Sequence, residues 1–74
     1  MTEFTLDARG LLCPLPVLKA RKRLQKLERG DRLLMHATDP AALIDVPHFC
    51  MEAGHKLVES REEGDAVLYT IEKR

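Results

Sequence analysis

Cys13 is followed by Pro14-Leu15-Pro16 and preceded by Arg9-Gly10-Leu11-Leu12, so it stands where a loop turns into a helix. Proline suits the first turn of a helix, where its missing N–H costs nothing. The free N–H groups and dipole of a helix N-terminus favour negative charge, which lowers a thiol's pKa from roughly 8.5. The two prolines present no N–H of their own but fix the direction of the chain, holding Cys13 on a stiff corner. Arg9 and the basic face of the following helix are expected to add positive charge. A thiolate presented in this way can attack a sulfur atom bound elsewhere and carry it. Position alone leaves a second reading open, a small apolar residue packed at the helix start.

The other candidates are weaker. Cys50 follows Phe49 among Val46, Met51 and Ala53. It reads as a packed cysteine, with a resolving thiol for Cys13 as the alternative. His36, His48 and His55 form no Cys-x-x-Cys or His-x-x-x-His spacing, so no metal site is expected. A lone Gly10 before a helix is not a phosphate loop. No cofactor is expected.

These residues must be positioned by a short series of elements. Phe4 and Leu6 alternate with polar residues, giving a first strand. Val17, Ala20, Leu24 and Leu27 recur at helical spacing, and Gly30 is expected to end that helix. Arg32 to Thr38 reads as a second strand with Leu33, Met35 and Ala37 on one face. Asp39-Pro40 reads as an N-cap and N1 proline. The segment from Ala41 to Ala53 is helical in composition, but Pro47 predicts a short first turn and a main helix beginning near Asp45, itself a candidate cap. Gly54 ends it. Lys56 to Ser60 and Ala66 to Ile71 form a hairpin turning at Gly64. The order β-α-β-α-β-β predicts an α/β (α+β) two-layer sandwich, a four-stranded mixed sheet with two helices on one face.

At 74 residues the chain is expected to form a single domain, residues 1–74. A domain of this size buries only about 60% of its unfolded surface, which leaves little room for a deep substrate pocket. Its chemistry is therefore expected at an exposed group, on a reactant delivered by another protein. The 12 basic and 12 acidic residues give no bulk preference for nucleic acid or lipid. Locally, however, Lys19, Lys22, Arg23 and Lys26 crowd the first helix, as a solvated face or as a docking surface for an acidic partner or tRNA in transit. The N-terminus lacks signal-peptide character, and no apolar run approaches the roughly 20 residues of a membrane span. A cytoplasmic protein without membrane insertion is expected.

The stretch Leu6-Asp7-Ala8-Arg9-Gly10-Leu11-Leu12-Cys13-Pro14-Leu15-Pro16-Val17 resembles the signature of the TusA/SirA family, small sulfurtransferase carriers with a Cys-Pro-x-Pro motif. The resemblance continues through Thr38-Asp39-Pro40-Ala41, Asp45-Val46-Pro47, Phe49-Cys50 and Gly54-His55-Lys56-Leu57. It implies that Cys13 accepts persulfide sulfur from a cysteine desulfurase or rhodanese-like donor and passes it to a downstream acceptor. Asp7, Arg9, Gly10, Pro14 and Pro16 would support the motif. In the best-known branch the relay ends in tRNA 2-thiolation; other members serve sulfur oxidation or cofactor biosynthesis. Leu12 and Leu15 depart from that branch, where an arginine and a glutamate are typical, and this bears on the partner rather than on Cys13. The competing reading is a non-catalytic regulatory or RNA-binding module. One tyrosine and two phenylalanines supply it with few stacking platforms.

Overall fold

The computed structural model describes residues 2–74. Its elements are β1 (Glu3–Ala8), α1 (Leu15–Leu24), β2 (Arg32–Ala37), α2 (Ala42–Ala53), β3 (Lys56–Glu63) and β4 (Ala66–Glu72). The four strands form one mixed sheet in the order β1-β2-β4-β3. β1 and β2 are parallel, with Leu6 opposite Met35 and Ala8 opposite Ala37. β4 is antiparallel to both β2 and β3, so Leu33 faces Ile71 and Met35 faces Tyr69. This is the expected α+β sandwich.

The core follows from strand alternation. Leu33, Met35 and Ala37 are buried from β2, and Tyr69 and Ile71 from β4. The helices cover these side chains with two apolar stripes: Pro16, Ala20 and Leu24 from α1, and Ala42, Val46, Phe49 and Cys50 from α2. Phe4, Leu6 and Leu57 pack at the margins.

Three boundaries differ from expectation. First, α1 stops at Leu24 rather than running to Gly30. Its end tightens into i→i+3 bonds, from Lys26 N to Arg23 O (3.0 Å) and from Leu27 N to Leu24 O (3.1 Å). Leu27 still packs against the core, so the apolar period outlasts the helix. The Leu24 carbonyl also accepts from Lys73 Nζ at 2.8 Å. Gly30 instead lies in the turn before β2, donating to the Lys73 carbonyl at 2.9 Å.

Second, α2 is continuous from Ala42 and contains Pro47. Proline there removes one helical bond, to the carbonyl of Leu43. Leu43 and Pro47 are both exposed, so water can satisfy that carbonyl. Asp39 acts just ahead of this helix, its Oδ1 accepting from Ala41 N at 3.1 Å. Gly54 closes the helix at φ +80°, a left-handed conformation that favours glycine. Third, β3 extends to Glu63, with a bulge between Leu57 and Glu59.

Candidate active site at Cys13

The loop between β1 and α1 is tied down at several points. Arg9 grips Asp7 with two side-chain bonds, Nε to Oδ1 at 2.9 Å and Nη2 to Oδ2 at 3.1 Å. The backbone N–H of Arg9 adds a third bond to Asp7 Oδ1, at 3.0 Å. That hydrogen-bonded Arg9 holds the Asp7 carboxyl down at about 2. Gly10 turns the chain at φ +80° and donates its N–H to Thr38 Oγ1 at 2.9 Å. Cys13 follows, exposed, with a cis peptide bond to Pro14. Pro14 caps α1, and Pro16 is buried in its first turn.

Two carboxylates from the other helix's entry hold Cys13. Its backbone N–H donates to Asp39 Oδ2, and its Sγ donates to Asp45 Oδ2 at 2.9 Å. Asp39 therefore joins the loop before α1 to the turn before α2. Tyr69 lies beneath: its hydroxyl is buried without a hydrogen-bond partner, and burial followed by the charge of Asp39 pushes its pKa up.

This electrostatic setting corrects the sequence expectation. The Cys13 thiol is pushed up, not down, first by its hydrogen bond to Asp45, then by partial desolvation and the charges of Asp45 and Asp39. The helix start offers few donors to oppose this. Pro14 and Pro16 have no N–H, the Cys13 N–H is taken by Asp39, and Leu15 N bonds Leu12 O at 2.8 Å. The charge of Arg9 is engaged by Asp7.

Asp39 and Asp45 were legible only as helix caps. Their convergence on Cys13 follows from topology. Because β1 and β2 are parallel, the loops leaving their C-terminal ends emerge at the same end of the sheet and bring the starts of α1 and α2 together.

Cys13 opens into a shallow groove between the helices, lined by Val17 and Arg21 from α1 and by Asp45, His48, Phe49 and Glu52 from α2. The groove continues past Phe49 to His55. Arg21 sits 5.4 Å over the Phe49 ring. Lys19, Lys22, Arg23 and Lys26 lie elsewhere, lining a second groove with Leu6 of the edge strand β1. Of the basic residues on α1, Arg21 is the one that lines the Cys13 groove, and its i, i+4 spacing from Val17 was the available signal. Exposed apolar side chains flank the site: Leu12 and Leu15 around Cys13, Leu43 and Ile44 before Asp45.

The remaining candidates are dispersed. Cys50 is buried in the core, where desolvation pushes its thiol up to about 11. His36 meets Glu63 at 3.0 Å, His48 meets Glu52 at 3.1 Å, and His55 Nδ1 accepts from Arg74 N at 3.1 Å. Among the described residues, no group of three or more His, Cys, Asp or Glu side chains converges as metal ligands would.

The chain is thus a two-layer α+β sandwich with an exposed cysteine where its two helices start. The SirA-like protein of Desulfitobacterium hafniense has the same fold. It superposes with a TM-score of 0.81 at 26% identity, covering 97% of this chain and 96% of that one. The family model for sulfurtransferase TusA matches residues 4–73, and the chain belongs to that family. The putative sulfur carrier protein YrkI of Bacillus subtilis is 41% identical over 72 residues, spanning 97% of this chain and 96% of the relative. The sulfur carrier protein TusA of Pseudomonas entomophila is 44% identical over 72 residues, spanning 97% and 90%.

Proposed function

We propose that this protein is a sulfur carrier in which Cys13 receives sulfur as a persulfide from a donor protein and relays it to an acceptor protein. The observation that carries this reading is the exposure of Cys13 in an open groove while its backbone and thiol are fixed by Asp39 and Asp45. A fixed but uncovered thiol suits a reactant presented by another macromolecule. A cysteine desulfurase or a rhodanese-like protein is the expected donor, acting in the cytoplasm. tRNA 2-thiouridine synthesis, sulfur oxidation or cofactor biosynthesis would consume the sulfur.

The basic groove of Lys19, Lys22, Arg23 and Lys26 provides an electrostatic docking site for an acidic partner. The regulatory or RNA-binding alternative has less support. Phe49 and Tyr69 are buried and Phe4 is half-buried against the core, so no phenylalanine or tyrosine ring stands free for base stacking.

Incubation with a cysteine desulfurase, its cofactor and free cysteine should add one sulfur atom, read by intact mass. Cys13→Ser should abolish the addition and Cys50→Ser should retain it. Sulfur uptake by Cys13→Ser would refute the assignment.

A further inference from the structure

The sulfur-carrier reading uses Asp45 only to hold the thiol in place, yet its carboxylate is the group in direct contact with the Cys13 sulfur. We propose that Asp45 is the positioning and proton-accepting residue of Cys13, and that its carboxylate, with that of Asp39, favours the empty carrier over the loaded one. This inference rests on the proposed sulfur-carrier function.

The groups facing Cys13 decide the sign. Asp45 comes from α2 and Asp39 from the turn before it. Arg21 of α1, with His48 and Glu52 of α2, lines the same groove. His48 is paired with Glu52 at 3.1 Å, and Arg21 lies over Phe49. The nearest charges to Sγ are thus the two carboxylates. A neutral thiol donating to Asp45 is compatible with them, and an anion at the same place is not.

The transfer balances as follows. The Cys13 Sγ–H proton passes to Asp45 Oδ2 as Sγ bonds the terminal sulfur of a protonated donor persulfide. The donor's S–S bond breaks and its electron pair leaves with the donor cysteine, which takes the proton from Asp45 and restores the carboxylate. One sulfur atom moves with no net oxidation or reduction. A persulfide is a stronger acid than a thiol, so the loaded group then loses its proton to solvent. Its anion lies beside Asp45 and Asp39, and like-charge repulsion drives the sulfur onward to an acceptor.

Asp45→Asn tests this. The amide keeps a hydrogen-bond acceptor and the size of the side chain while removing the charge, and circular dichroism would verify the fold. Two measurements are made in a Cys50→Ser background. In the first, alkylation of Cys13 by iodoacetamide is followed against pH. Its midpoint should move about one pH unit toward acid. In the second, protein is equilibrated with a persulfide-loaded cysteine desulfurase and the loaded-to-empty ratio is read by intact mass. At neutral pH this ratio should rise about tenfold, matching one pH unit. A folded Asp45→Asn protein with an unchanged alkylation profile and partition, beside a background protein that loads normally, overturns the role of Asp45 alone. A background protein that takes up no sulfur overturns the carrier reading and this inference with it.

Discussion

Cys13 Sγ and Asp45 Oδ2 lie 2.9 Å apart, the thiol of one helix entry donating to the carboxylate of the other. A carboxylate acceptor stabilises the protonated sulfur and opposes its ionisation. In the folded protein, therefore, the free thiol persists to higher pH than in the unfolded chain. Alkylation of Cys13 at neutral pH should be slower in the native state than in denaturant, with a midpoint displaced toward alkaline pH. Rate measurements on Cys50→Ser, native and in urea, decide it. A native midpoint on the acid side would mean that the helix start, not Asp45, governs the thiol.

The clamp between Arg9 and Asp7 gives an expectation of opposite sign. The Asp7 carboxyl is lowered from 3.8 to about 2. A carboxyl lowered by folding contributes stability that is complete above its unfolded value and is lost as pH falls through its folded one. Urea unfolding of wild type and Asp7→Asn should therefore show a stability difference that shrinks as pH falls from 3.8 toward about 2. A difference that stays constant through that window would show that the Asp7 carboxyl is not lowered by folding. Both side chains are exposed, so the effect should be modest.

The strands and the apolar stripe of α1 could be read from periodicity, because alternation at Leu33, Met35 and Ala37 directly encodes which face is covered, whereas α2 was legible only from its composition. The end of α1 could not. Leu27 keeps the helical period although the chain has already tightened after Leu24, and burial constrains the side chain rather than the backbone bond. The position of Cys13 was legible from its prolines, but its electrostatics were not. Those depend on Asp39 and Asp45, which lie 26 and 32 residues away in sequence and reach the sulfur's neighbourhood only through the parallel pairing of β1 and β2.

Tyr69 offers a test of the ground beneath the site. Its hydroxyl is buried with no hydrogen-bond partner, close enough to Asp39 to feel its charge. An unsatisfied buried hydroxyl carries a desolvation cost with no compensating bond. Tyr69→Phe should accordingly raise stability by up to about 1 kcal/mol in urea unfolding. Tyr69→Ala, which empties a core position, should cost about 3–5 kcal/mol. A loss exceeding about 1 kcal/mol in Tyr69→Phe would mean that the hydroxyl is bonded in solution.

The two grooves flanking α1 separate docking from chemistry. Lys19, Lys22, Arg23 and Lys26 line the groove on the β1 side, whereas Cys13 opens on the α2 side. Charges that steer a partner change its association rate and its salt dependence without altering the reactivity of a distant group. Replacing Lys19, Lys22 and Lys26 together by Glu should slow sulfur transfer from an acidic donor about tenfold at low salt. The penalty should fade as salt is raised, because screening removes the attraction that wild type enjoys. Iodoacetamide, being neutral and needing no docking, should alkylate Cys13 equally fast in both proteins. If alkylation slows in parallel with transfer, the lysines act on the thiol itself. If neither changes, the basic face is only a solvated surface.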